Sequence, residues 1–246
     1  EVIHLVLSTA MFGHLRLPST LRQATSLMQT VRRLFIQVQD TPNPMTLKFL
    51  PGQPLLKTAQ TFEFTSPGAA KQSPLALQLF RIDGVKSVFF GEDFVTITKD
   101  ADSEWSMLRP HVFATLSDFI ATGKDVISSG QAAAGEPEDT VIHEDDSETV
   151  AMIKELLDSR IRPMVQEDGG DIQYRGFDEK TGVVSLKLKG SCTGCPSSGV
   201  TLKNGIQNML QFYVPEVKDV VEVKDDEDEI IELQLKKFEK SAGITE

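Results

Sequence analysis

Cysteine is nearly absent from this chain: 246 residues hold two, Cys192 and Cys195. That scarcity excludes a disulfide-braced secreted scaffold, which would carry several pairs. It fits a reducing compartment in which the two thiols are kept for chemistry. Long apolar runs are missing too. No stretch reaches the ~20 residues that a membrane-spanning helix needs, so membrane integration is not expected. Positive charge is in deficit, with 25 Lys and Arg against 36 Asp and Glu and a net charge of −11. A chain of that sign offers no basic face for non-specific nucleic-acid binding.

The remaining composition, 40% hydrophobic and 25% charged, is that of an ordinary soluble protein. The length suits two domains of about 100 residues each, with some chain to spare. Acid is itself missing from one segment, since residues 2–39 contain no Asp or Glu. They carry Arg16, Arg22, Arg32 and Arg33, many hydroxyl residues, and Leu21, Ala24, Met28 and Val31 at helical spacing. Residues 1–33 therefore read as an organelle presequence. Met11 is a natural start for it, and residues 1–10 read as a gene-model extension.

A first α+β domain is expected over residues 34–122. Phe35 to Gln39 alternates like a strand, Thr41-Pro42-Asn43-Pro44 turns, and Leu47 to Leu50 is a second strand. Ser73 caps a helix that opens with Pro74, buries Leu75, Leu79 and Ile82, and ends at Gly84. Val85 to Phe90 and Phe94 to Thr98 flank a hairpin turn at Gly91-Glu92-Asp93. A last helix buries Trp105, Leu108, Val112, Leu116 and Phe119, and Pro110 must start it or kink it. His111 reads as a surface or packing residue. The domain contains no catalytic constellation and is assigned to partner recognition by elimination. Residues 123–146 lack apolar periodicity and accumulate acid, the composition of a flexible, self-repelling linker.

A second α+β domain is expected over residues 147–224, with Ser147 as N-cap and Val150, Ile153, Leu157, Ile161 and Met164 on one helix face. Pro163 and Asp168-Gly169-Gly170-Asp171 end that helix. Ile172 to Phe177 and Val183 to Lys189 form a hairpin whose Val184, Leu186 and Leu188 face the core. Leu202, Ile206, Met209 and Tyr213 mark a further helix face, and Val217 to Val223 a third strand. Residues 225–246 read as an acidic turn followed by a short amphipathic tail helix from Ile230 to Phe238.

Between the hairpin and the last helix lies Gly190-Ser191-Cys192-Thr193-Gly194-Cys195-Pro196-Ser197-Ser198-Gly199. Pro196 suits a first helical turn, so the thiols should sit at a helix N-terminus, where the dipole stabilises a thiolate by ~0.3–1 kcal/mol. Glycine density lets amide N–H groups turn toward sulfur. Lys187, Lys189 and Lys203 lie near in sequence. Two incidental cysteines would be unusual at this spacing. A thioredoxin-like dithiol fits the spacing, although the domain does not read as alternating strands and helices of a parallel sheet. A structural zinc needs about four ligands, and this domain has no histidine. An iron–sulfur cluster also takes four thiolates. One chain cannot supply them, but a symmetric dimer with Cys192 and Cys195 from each protomer can.

Ile161-Arg162-Pro163, Asp168-Gly169-Gly170-Asp171, Leu188-Lys189-Gly190 and Cys192-Thr193-Gly194-Cys195-Pro196-Ser197-Ser198 resemble the C-terminal domain of NifU, the Nfu family of iron–sulfur proteins. Thr41-Pro42-Asn43-Pro44 with Leu47-Lys48-Phe49, and Gly84-Val85 to Phe89-Phe90-Gly91 with Asp93-Phe94, resemble the Nfu N-terminal domain. The resemblance runs from Leu34 to about Val223 and is closest to mitochondrial members. It implies a non-catalytic scaffold in the mitochondrial matrix, with Cys192 and Cys195 as ligands of a 4Fe–4S cluster shared across a homodimer. Its partners would be upstream assembly proteins and the apo iron–sulfur clients that receive the cluster. A thiol–disulfide oxidoreductase using the same pair is the alternative.

Overall fold

Strands in the first domain form where β-branched and aromatic residues alternate with polar ones, and turns form at proline and glycine. The computed structural model describes residues 36–57, 60–128, 139–194 and 198–224, with the side chains of 198–201 left aside. β1 (Gln37–Asp40), β2 (Thr46–Leu50), β3 (Phe62–Phe64), β4 (Val85–Phe90) and β5 (Val95–Lys99) make one antiparallel sheet in the order β1-β2-β5-β4-β3. α1 (Pro74–Leu79) and α2 (Trp105–Thr122) supply helical faces to the core that this sheet forms, through Leu75, Leu79, Leu108, Val112, Leu116 and Phe119. Phe49, Phe64, Val88, Phe90, Val95 and Ile97 come from the sheet itself.

Several sequence expectations are corrected in detail. β3 is only three residues long and was not anticipated. α1 is capped by Ser73, whose hydroxyl accepts from the Ala76 amide, but it stops at Leu79; Ile82 packs from the turn that precedes Gly84. Pro110 does not start α2, the first of the two roles expected of it. It lies inside on an exposed face, where water can take the Ser106 carbonyl that proline leaves without a donor. His111 is exposed, as expected.

The second domain begins with α3 (Glu148–Leu156), whose Ser147 cap accepts from the Val150 amide. A π-turn (Leu157–Ile161) leads into α4 (Arg162–Glu167). Pro163 cannot donate to the carbonyl one α-turn back, and the wider π-turn directly before α4 accommodates it. The extra width also carries the buried face from Ile161 to Val165, so Met164 is exposed rather than in the core. β6 (Gly170–Asp178), β7 (Val183–Gly190) and β8 (Asp219–Glu222) form the second sheet, with β7 central. Val184, Leu186 and Leu188 face the core as their alternation predicts.

α5 (Ser198–Tyr213) connects β7 to β8, and those two strands pair in parallel. The domain therefore does contain a strand–helix–strand crossover, contrary to the sequence reading. Ile206 and Leu210 carry the buried face of α5, while Tyr213 is exposed. Among the described residues no helix is long and apolar enough to cross a membrane.

Both ends of the stretch read as linker are built into the domains. Val126 and Ile127 are buried in the first core. At the other end Asp139 accepts from the Tyr174 amide at 2.7 Å, and Asp146 pairs with Lys154 at 2.6 Å. The presequence-like residues, the middle of the linker and the tail helix lie outside the described residues.

Arg162 holds the second domain together. Its Nη1 donates to Asp171 and to the Ile172 carbonyl, both at 3.0 Å, its Nη2 to Asp139 at 3.2 Å, and its Nε to Asp158 at 3.1 Å. Burial works against the guanidinium charge, but these carboxylates outweigh it and hold the pKa above its ordinary value. Arg162→Ala leaves the buried Asp171 and the half-buried Asp139 without their cation. It is expected to lower stability by about 3–5 kcal/mol, read as a shift in the urea midpoint at unchanged slope.

Candidate functional site at the cysteine loop

The loop starts where β7 ends. Gly190 leaves the strand at φ 66° and Gly194 follows at φ 68°, both in the left-handed region that favours glycine. Between them the Thr193 amide donates to the Gly190 carbonyl at 3.2 Å, and the Thr193 hydroxyl to the Leu188 carbonyl at 3.1 Å. The Ser191 hydroxyl donates to the Asp168 carbonyl at 2.7 Å, and its amide to the Gly169 carbonyl at 3.3 Å. The loop is thus tied to the Asp168-Gly169-Gly170-Asp171 turn.

Cys192 is 5% exposed and belongs to the second hydrophobic core. Its sulfur lies so close to Gly170 that a Cβ there would sit 2.5 Å from it. Cys195, Pro196 and Ser197 lie outside the described residues, so the structure places one of the two expected ligands. α5 is described from Ser198 onward, and Pro196, where a helix start is expected, lies outside the described residues. Lys203 pairs with Asp219 at 3.8 Å. Lys189 is largely buried, and that burial pulls its pKa below the ordinary lysine value.

The first domain also reaches this loop, which sequence reasoning missed. β2, β5, β4 and β3 present one cross-strand row, in which Lys48 pairs with Thr96, Thr96 with Phe89 and Phe89 with Glu63. The row lies on the sheet face opposite the first core, and every member meets the second domain. The Lys48 ammonium donates to the Gln166 and Glu167 carbonyls at 3.0 and 3.1 Å, at the C-terminal end of α4. It also sits 4.3 Å from the Phe94 ring centroid, and burial lowers its pKa against the pull of Asp93, Glu167 and Asp168. The Thr96 hydroxyl donates to the Gly169 carbonyl at 2.7 Å. Glu63 accepts the Gly190 amide at 2.9 Å, and a Cβ on Gly190 would come within 3.0 Å of the Phe89 ring.

Beyond the row, the Thr61 hydroxyl donates to Asp171 at 2.5 Å. Asn43, 3% exposed, donates from Nδ2 to the Ser191 carbonyl at 3.1 Å and to the Thr193 carbonyl at 3.4 Å. Its Oδ1 meanwhile accepts the Met45 amide at 3.0 Å, so both ends of the amide are used.

Two family models match the chain: "Scaffold protein Nfu/NifU N terminal" over residues 36–123 and "NifU-like domain" over residues 153–221. A human protein named "NFU1 iron-sulfur cluster scaffold homolog, mitochondrial" is 58% identical over 202 residues, covering 80% of this chain and 75% of its own. A protein of the same name from Drosophila virilis is 53% identical over 239 residues, covering 95% of this chain and 78% of its own. The chain belongs to the Nfu family. Both descriptions agree with the sequence resemblance, and each matched stretch holds helices and strands.

The Nfu motifs acquire physical content from these contacts. Thr41-Pro42-Asn43-Pro44 read as a turn and as a family motif without a structural role, because an asparagine between prolines is a turn signal whether or not its amide has a distant partner. Lys48 and Thr96 fall within stretches read as strands, with no face assigned to either. Their burial shows only once the second sheet is in place.

Gly170 and Gly194 serve the loop differently, and substitution separates them. Gly170→Ala drives a methyl into the Cys192 sulfur and the Lys189 carbonyl and is expected to cost about 1–3 kcal/mol. At Gly194 nothing among the described residues lies within 4 Å, so alanine is expected to cost the left-handed backbone penalty of about 1–2 kcal/mol. In urea unfolding, adding Cys192→Ala should recover part of the loss in the Gly170 variant and none in the Gly194 variant.

Proposed function

We propose that this chain is a non-catalytic scaffold and carrier of iron–sulfur clusters. In this reading Cys192 and Cys195 from each of two copies hold one 4Fe–4S cluster, which is then handed to apo-proteins. The observation that carries the reading is the position of the Cys-x-x-Cys loop, between the end of β7 and the start of α5, in a domain matched by the NifU-like model. Thiolates are the donors that iron–sulfur clusters select, and a chain with two cysteines needs a second copy to reach four. Gly190 and Gly194 turn the loop through the left-handed region, and at Gly190 a side chain would run into the Gly169 carbonyl and the Phe89 ring.

Delivery runs by ligand exchange. A client thiol gives its proton to the departing cysteine as the client sulfur forms a bond to iron and the bond to Cys192 or Cys195 breaks. No electron changes hands. The partners are upstream assembly proteins and the apo clients. The relatives are mitochondrial by name, in agreement with the acid-poor, arginine-bearing N-terminal stretch, and the chain is mitochondrial. We place it in the matrix.

One observation favours a second reading. The crossover from β7 through α5 to β8 sets the cysteine loop at a strand end and near a helix start, where dithiol oxidoreductases also carry their pair. Anaerobic reconstitution with iron and sulfide, followed by size-exclusion chromatography, separates the two. The scaffold elutes as a coloured dimer with about one cluster per two chains. A colourless monomer that cycles between dithiol and disulfide supports the oxidoreductase. Cys192→Ala and Cys195→Ala should each abolish cluster binding without loss of the folded far-ultraviolet spectrum. Iron bound at the wild-type ratio by either variant would sink the proposal.

A further inference from the structure

Cys192 faces the wrong way for a shared cluster. Its sulfur packs inward against Gly170 and the second core, whereas a cluster held between two copies needs it to point out of the chain. Cys192 is 5% exposed as a whole residue, so presenting its sulfur to a second copy calls for movement of the loop that carries it, and the first domain opposes that movement. Asn43 bridges the carbonyls on either side of Cys192, and Glu63 holds the amide of Gly190 at the loop's entry. These contacts span 148, 150 and 127 residues of sequence. They exist only while the two domains are docked through Lys48, Thr96 and Thr61.

We propose that the first domain is an intramolecular latch on the cysteine loop. Asn43 and Glu63 are positioning residues that keep Cys192 sequestered in the cluster-free chain. A second copy of the chain, approaching with its own cysteine loop, competes with the first domain for this position. Loading therefore undocks the domains. The competition rests on the scaffold reading above; the latch does not.

Asparagine at position 43 makes a clean test possible. Asn43→Asp keeps the oxygen that accepts the Met45 amide and so keeps the turn, but it has no donor for the Ser191 and Thr193 carbonyls. In the cluster-free full-length chain carrying Cys195→Ser, Cys192 is the one thiol, and its alkylation by iodoacetamide is followed by mass spectrometry. Asn43→Asp should speed that reaction about ten-fold, the size expected when a buried hydrogen-bonded closure is lost. Glu63→Ala should act in the same direction, while Glu63→Gln keeps an acceptor and should stay near the parent rate. Parent-like rates in both Asn43→Asp and Glu63→Ala would overturn the latch.

The competition is read on Lys48, buried in the docked chain. Its labelling by an amine-reactive ester should rise on reconstitution of the wild-type chain with iron and sulfide. Unchanged labelling in a sample that has bound the cluster overturns the competition. A sample that binds no cluster counts against the scaffold reading, and the alkylation rates still decide the latch.

Discussion

A β-sheet has two faces, and each must be given to water or to a partner. The five-stranded sheet gives neither face to water along its centre. One side carries Phe49, Val88, Phe90, Val95 and Ile97 into the first core; the other carries Lys48, Thr96, Phe89 and Glu63 against the second domain. The second face is polar, and burying polar groups without partners is costly. Each polar member of the row therefore needs an acceptor or donor from across the seam. The second domain supplies backbone groups: two carbonyls at the end of α4, one in the glycine turn and one amide at the mouth of the cysteine loop.

The Asp168-Gly169-Gly170-Asp171 turn is where these demands meet. Asp168 gives its carbonyl to Ser191, Gly169 gives its own to Thr96, Gly170 leaves room for the Cys192 sulfur, and Asp171 takes Arg162 and Thr61. A side chain at either glycine would collide with the structure it serves: Thr96 at Gly169, Cys192 at Gly170. Arg162 ties the same turn to Asp139 at the end of the connecting segment. A change in domain docking is therefore felt directly by the loop that carries Cys192, because turn, loop and seam share hydrogen bonds rather than merely lying close.

Much of this was legible in the residues. The strand alternations, the Ser73 and Ser147 caps and the placement of the cysteine loop after β7 follow from short-range patterns, and they were read within a residue or two. The misses have a common character. Met164 and Tyr213 were placed in the core on helical spacing, but the π-turn before α4 shifts one helix face, and from α5 the buried series runs Ile206, Leu210 and on to Val214 rather than to Tyr213. The parallel pairing of β7 with β8 depends on where α5 returns the chain, and strand periodicity is the same for either direction.

Local sequence determined the elements, their caps, the two α+β domains and the identity of the thiols, because those depend on neighbours within one or two turns of chain. Tertiary structure alone decided that Asn43 reaches across to the carbonyls flanking Cys192, that Lys48 and Thr96 are buried, and that the Cys192 sulfur points inward. A polar residue on an alternating strand looks the same whether water or another domain satisfies it. The partner is fixed only when distant segments meet, and a hydrogen bond spanning 148 residues leaves no trace in the local pattern of either end.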